Sequence, residues 1–172
     1  GYNGPKNGKG YLENFEKQDL GVWNNCIEVN LTSIFELSQA ILPALKKSKS
    51  ASIINIGSDL SVIAPNQKIY KSSYKDYIKP VTYSVIKHGM LGLTKYFASL
   101  YAKNNVQVNM LSPGPIFNNQ KPSFVKNLKD IIPMNRMANR EDLKETLLFM
   151  LNEENNYLTG QNIIVDGGRT II

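Results

Sequence analysis

The segment PVTYSVIKHGMLGLTKYFASLYAKNNVQVNMLSPG, Pro80 to Gly114, decides the fold. In its first half Val85, Ile86, Met90, Leu93, Phe97 and Leu100 recur at three- and four-residue steps, the period of an amphipathic helix. Pro80 is tolerated only near a helix start, with Thr82 as the candidate cap. The second half, NNVQVNMLSPG, reads as a strand closed by a Pro-Gly break. Upstream, ASIINIGS (Ala51 to Ser58) has the short, Ile-rich profile of a buried strand, and GQNIIVDGG (Gly160 to Gly168) reads as a third. Strands alternating with helices predict an α/β fold, a parallel sheet with helices on its faces.

The remaining elements fit around this frame. Residues through Gly10 are rich in Gly, Asn and Lys and read as a loop, followed by a helix over Leu12 to Asn24. In NLTSIFELSQAILPALKK, the positions Leu31, Ile34, Phe35, Ser38, Ile41, Leu42 and Leu45 predict a helix with one buried stripe. Asp59 to about Lys79 reads as a long polar and aromatic loop. After the Pro-Gly break come a loop, a short helix, and a helix near Arg140 to Leu151. There is no repeat and no linker, so residues 1–172 are taken as part of one domain.

Composition narrows the classes. The chain has 172 residues, 42% hydrophobic and 20% charged, ordinary for a globular protein. No apolar run reaches the ~20 residues that a bilayer requires, and the N-terminus lacks the plan of a signal peptide. One cysteine, Cys26, and one histidine, His88, exclude a disulfide framework and a Cys- or His-built metal cage. A reducing cytoplasm is the simplest compartment. The net charge of +6 comes from scattered residues, with small clusters at Lys46, Lys47, Lys49 and at Lys68, Lys71, Lys75, Lys79. No nucleic-acid-binding motif accompanies them. They read as solvated surface with some help for a phosphorylated ligand.

Chemistry is concentrated at the strand ends. Tyr83 and Lys87 stand one helical turn apart, so their side chains neighbour each other. A free phenol has a pKa of about 10, and a nearby ammonium lowers it. Ser58 falls at the carboxyl end of the first strand and the SPG turn at that of the second, where parallel sheets bind ligands. Each feature also has a bland reading. Asn30 suits a helix cap, Ser58 a local backbone contact, and SPG and DGG simple turns. His88 and Cys26 read as structural.

Taken together, IEVNLTS, NIGS, YSVIK, VNMLSPG and TGQNIIVDGG resemble the short-chain dehydrogenase/reductase family across nearly the whole chain. The resemblance implies a Rossmann-like doubly wound sheet and NAD or NADP as cofactor. It implies a catalytic set of Asn30, Ser58, Tyr83 and Lys87. Tyr83 would be the acid–base residue. Lys87 would lower its pKa and bond the nicotinamide ribose. Ser58 would hold the substrate oxygen, and Asn30 a relay water. Pro113, Gly114 and Ile116 would meet the nicotinamide. A small-molecule substrate and a homodimer or tetramer are expected, with no nucleic acid, membrane or metal.

The sequence also departs from the family. No G-x-x-x-G-x-G turn between strand and helix is present to meet a pyrophosphate; GPKNGKG (Gly4 to Gly10) reads as a loop. If Gly1 ends the family's N-N-A-G motif, the chain is the C-terminal part of the domain. About three strands are then retained and the first strand's outer edge is open. The stretch APNQKIYKSSYKDYIKP is longer than the family norm by roughly a dozen residues, and reads as a solvated excursion or a substrate-side lid. With NNQ at Asn118 to Gln120, it resembles a subgroup linked to surface polysaccharide and flagellin glycans, which implies a sugar-derived substrate. Pro115 and Asn118 replace a more usual glycine and threonine. Two rivals to a sugar-linked oxidoreductase are a reductase of acyl-carrier-bound ketones and a truncated, non-catalytic remnant.

Overall fold

The computed structural model describes residues 4–74 and 77–172. Gly1 and Lys75, which the sequence reading had placed at a family motif and in a basic cluster, lie outside the described residues. Three strands form one parallel sheet: β1 (Ala51–Ile56), β2 (Val106–Pro113) and β3 (Asn162–Val165), in that order. Ile53 lies opposite Val108, and Leu111 opposite Ile163. All three strands stand where the sequence placed them. β2 is central, and every residue but Gln107 is buried, the polar Asn109 and Ser112 included. β1 pairs with β2 alone among the described strands. Its far edge carries Ile56, which is 52% exposed.

The helices are α1 (Leu20–Ile27), α2 (Ser33–Leu45), α3 (Gln67–Ser73), α4 (Val81–Tyr101), α5 (Pro122–Lys129) and α6 (Lys144–Leu151). α4 lies along β2 because their apolar periods match. Ile86 and Met90 meet Met110, Cys26 and Tyr11, while Phe97 and Ala98 meet Val106, Val108 and Ala51. Each large side chain buried this way contributes about 1.5–3 kcal/mol. Val85 and Leu100, expected on the same face, are 40% and 50% exposed. Pro80 itself takes the cap position, in extended backbone, and Thr82 is buried inside the first turn rather than capping it.

Several boundaries differ from expectation. The helix expected over Leu12 to Asn24 becomes a 3-10 turn at Phe15–Lys17 and then α1, started by Asp19 accepting from the Val22 N–H at 2.9 Å. α1 joins α2 through a wide π turn, Glu28–Thr32. The α2 stripe is mostly half-buried, with Phe35 47% exposed. The helix expected from Arg140 opens as a 3-10 turn, Glu141–Leu143, before α6. The largest correction concerns Asp59 to Lys79, expected as one loop. It begins with a buried 3-10 turn, Asp59–Ser61, and contains α3, capped by Asn66 accepting from the Lys68 N–H at 3.1 Å. α3 spans only seven residues, too few for its period to stand out. It packs on α5, with Tyr70 and Tyr74 each 5.3 Å from the Phe124 ring. No helix among the described residues is long and apolar enough to cross a membrane.

Candidate active site

β1 runs into Gly57 and Ser58, and the Gly57 N–H continues the ladder to the Leu111 carbonyl at 2.7 Å. A side chain at Gly57 would overlap the end of the Met110 side chain and come within 2.5 Å of Ser112 Oγ, so glycine leaves these two buried side chains their room beside the turn. The turn aims Ser58 at the start of α4. There the Ser58 side chain lies close enough to the Tyr83 phenol to favour its ionised form. Both line a cavity of about 390 Å³, whose walls include Gly114, Ile116 and Tyr70. Tyr83 also lines an adjoining cavity of about 790 Å³ together with Asn30 and Lys87. The four residues expected to act together thus surround two spaces that meet at Tyr83.

The expected contacts hold in part. Lys87 donates from Nζ to the Ile56 carbonyl at 3.0 Å and stands 5.8 Å from the Tyr83 ring centre. Asn30 sits within the π turn and donates from Nδ2 to the Cys26 carbonyl at 3.0 Å, so it is not a helix cap. Single π turns inside helices recur at functional sites. Ser58 does make the local contact of its bland reading, accepting from the Leu60 N–H at 3.2 Å, and also donates to Asp59 Oδ1 at 2.9 Å. Exposed His88 has Nδ1 2.9 Å from the Ser84 carbonyl.

The Pro113–Ile116 segment is fixed on both sides. The Gly114 N–H donates to the Val165 carbonyl at 2.9 Å, and a side chain there would come within 2.6 Å of the Asp166 Cα. Ile116 bridges Ala138, and the Ala138 N–H donates to the Pro115 carbonyl at 2.9 Å. Asn118 is exposed and donates its N–H to Gln120 Oε1 at 2.7 Å.

Burial pushes the Tyr83 phenol up, opposed by the neighbouring Ser58 side chain; Asp59 adds to the rise and Arg169 opposes it. The Lys87 ammonium is itself held below its ordinary range by burial. The physical reason is dehydration: the half-buried phenolate loses more from lost water than the surrounding charges return.

Three residues of the site escaped the sequence reading. Asp59 Oδ2 pairs with Arg169 Nη1, both side chains almost fully buried, across 110 positions of sequence. Lys79, read only as a member of a basic cluster, places Nζ 3.5 Å from the centre of the Tyr83 ring and 5.9 Å from that of Tyr70. Its backbone is clamped by Gln67, which accepts from the Lys79 N–H at 2.8 Å and donates to its carbonyl at 3.0 Å. Burial lowers the Lys79 pKa to about 8, with Asp59 opposing the drop and Lys87 and Arg169 adding to it. The only available signal was the charged residue directly after Ser58, at a strand end.

A parallel sheet with Ser, Tyr and Lys gathered beyond its carboxyl ends defines a Rossmann-type site. Residues 6–170 match the family model described as enoyl-(acyl carrier protein) reductase, and the chain belongs to the short-chain dehydrogenase/reductase family. It is 30% identical to the 3-oxoacyl-(acyl-carrier-protein) reductase of Thermotoga maritima over 154 residues, covering 87% of this chain and 57% of that protein. It is 31% identical to the post-translational flagellin modification protein A of Campylobacter coli, covering 83% and 55%. Among solved structures it resembles a short chain dehydrogenase from Leptospira borgpetersenii with bound NAD+, at 35% identity and a TM-score of 0.85, covering 92% of this chain and 60% of that one. The chain therefore spans a little over half the length of these relatives.

Proposed function

We propose that this chain is the C-terminal part of a single Rossmann-type domain in an NAD- or NADP-dependent oxidoreductase acting on a secondary alcohol or ketone. The observation that carries the proposal is the convergence of Ser58 and Tyr83 on one cavity walled by the Pro113–Ile116 segment. In carbonyl reduction the Tyr83 hydroxyl gives its proton to the substrate oxygen; in alcohol oxidation it takes one. Ser58 holds that oxygen in place. Asn30 and Lys87 line the neighbouring space, where a proton relay would pass.

The residues fit the nicotinamide half of the cofactor. The Lys87 ammonium has three N–H groups, and its bond to Ile56 leaves others for ribose hydroxyls. Half-buried Pro115 and Ile116 offer an apolar wall for a flat ring. The bound dinucleotide would supply or accept the hydride. A pyrophosphate turn is not among the described residues, and in this reading it belongs to a preceding segment whose strand pairs with the free edge of β1. The likeness to the flagellin modification protein supports a sugar-derived substrate. The likeness to the acyl-carrier reductase favours a second reading, reduction of an acyl-carrier ketone. A cytoplasmic dimer or tetramer completes the proposal.

The test is Tyr83→Phe in the complete protein, followed through the absorbance of the reduced nicotinamide. Turnover should fall by orders of magnitude while nucleotide binding, read by fluorescence titration, persists. Near-normal turnover would refute the assignment. Sequencing upstream of Gly1 tests the domain proposal: an in-frame strand, G-x-x-x-G-x-G and helix support it. A stop codon there leaves a non-catalytic remnant.

A further inference from the structure

The substrate-side cavity has an unusual charge pattern. Three charged side chains line it: Asp59, Arg169 and Lys79. Asp59 is already committed, to Arg169, to the Ser58 hydroxyl and to the Leu60 N–H. That leaves one net positive charge, on Lys79. Among the described residues its ammonium has no carboxylate partner, and it lies over the faces of Tyr83 and Tyr70, 3.5 and 5.9 Å from the ring centres. A desolvated lysine is costly unless something compensates it. Ring faces compensate in part, by about 0.5–2 kcal/mol.

The placement is built. Pro80 fixes the backbone direction just after Lys79, and the two-way clamp from Gln67, the first residue of α3, fixes the peptide groups on both sides of its side chain. α3 in turn is anchored on α5 through Ile69, Tyr70 and Phe124. The stretch that makes this chain longer than its family thus ends in a cation held over the ring of the acid–base tyrosine.

We infer that this cavity takes a substrate whose reacting carbonyl or hydroxyl lies within a few bonds of a carboxylate, with Lys79 as the anchor of that carboxylate. The inference rests on the oxidoreductase reading and narrows its substrate to small oxo or hydroxy acids, sugar acids among them. The geometry sets the spacing. An oxygen bonded to Ser58 and Tyr83 and an anion on Lys79 Nζ share one aromatic ring as their floor, so the two groups of the substrate must be close neighbours. The cavity, about 390 Å³, also contains the Pro115 and Ile116 wall assigned to the nicotinamide, so the room beside that ring suits a small substrate.

The test needs no turnover, so it is decided separately from the Tyr83→Phe assay. With its pKa lowered to about 8, Lys79 presents a reactive free amine in mildly alkaline buffer, where surface lysines are mostly protonated. The intact protein is acetylated with an N-hydroxysuccinimide ester, with NAD+ or NADP+ present, and labelling of Lys79 is followed by peptide mass spectrometry. The probes are 2-oxobutyrate and acetoacetate, each compared with its uncharged methyl ester. At least one acid should slow Lys79 labelling several-fold, its ester should not, and exposed Lys47 should be unaffected by either. Direct titration should show that Lys79→Arg keeps acid binding and Lys79→Gln loses it. Equal protection by acid and ester, or none by either acid, overturns the inference and leaves Lys79 as a structural contact of the two rings.

Discussion

Replacing Asp59 by Asn should destabilise the protein far more than any exposed charge change. Asparagine keeps an oxygen that can accept from the Leu60 N–H and the Ser58 hydroxyl, now at 2.8 and 2.9 Å. What it removes is the charge opposite Arg169, whose side chain is only 5% exposed. The Arg169 Nε already lacks a hydrogen-bond partner among the described residues, so the variant strands a buried guanidinium beside a neutral amide. Breaking a buried ion pair in this way costs about 3–5 kcal/mol, against a total stability of about 5–15 kcal/mol for a typical domain. Urea unfolding followed by circular dichroism should show a large drop in midpoint with an unchanged slope. The double variant Asp59→Asn/Arg169→Met should recover much of the loss, because no uncompensated charge remains. Asp142→Asn provides the contrast. Its pair with Arg136, at 2.7 Å, is solvent-exposed, where such bridges contribute little. If Asp59→Asn shifts the midpoint no more than Asp142→Asn does, the buried pair does not hold the turn after β1 to the C-terminal segment as argued.

Lys79→Met should stabilise the protein at pH 7 by up to about 3 kcal/mol, since the pKa falls from 10.5 to about 8 and each unit is worth about 1.4 kcal/mol. The sign follows from linkage: below pH 8 both folded and unfolded lysine are charged and the burial cost is complete, whereas between pH 8 and 10.5 only the folded form sheds its proton and the cost fades. The gain from the substitution, read from urea midpoints across that window, should therefore shrink; a gain constant in pH would contradict it. Gly57→Ala should cost about 1–3 kcal/mol by overpacking, because its methyl group would collide with Met110; a neutral result in the same assay would mean β1 can shift. Sedimentation velocity of the 172-residue chain should show association growing with concentration through the β1 edge, suppressed by Ile54→Lys. A stable monomer at high concentration would count against it.

The strands were legible because their physics is local. Ile53 and Ile54 in β1, and Val106 and Val108 in β2, are β-branched residues in short runs ended by Gly or Pro-Gly, and the structure pairs them as a parallel sheet. α4 was legible because twenty-one residues give its period room to repeat. α3 was not, since its apolar content reduces to Ile69 and Tyr70, whose partner Phe124 lies far along the chain in α5. The Asp59–Arg169 pair was illegible for the same reason at greater separation. Nothing local distinguishes that arginine from a solvated one.

The two lysines around Tyr83 carry the point furthest. Lys79 stands four residues before the tyrosine and Lys87 four after, and helical spacing singled out Lys87 alone because Lys79 precedes the helix. Yet the Lys79 ammonium lies 3.5 Å from the ring centre and that of Lys87 5.8 Å. Spacing on a helix brings together the bases of side chains, not the ends of long ones. The Lys87 ammonium is drawn to the Ile56 carbonyl at the end of β1, a hydrogen bond that the ring cannot match. Lys79, held from outside the helix by Gln67 and with no side-chain acceptor among the described residues, is left over the aromatic face. Lys87 thus lines only the cavity that also holds Asn30, whereas Lys79, fixed by α3, lines that cavity and the one holding Ser58. A charge reversal at Lys79 should accordingly change which substrates bind before it changes how nucleotide binds, and at Lys87 the order should be the opposite.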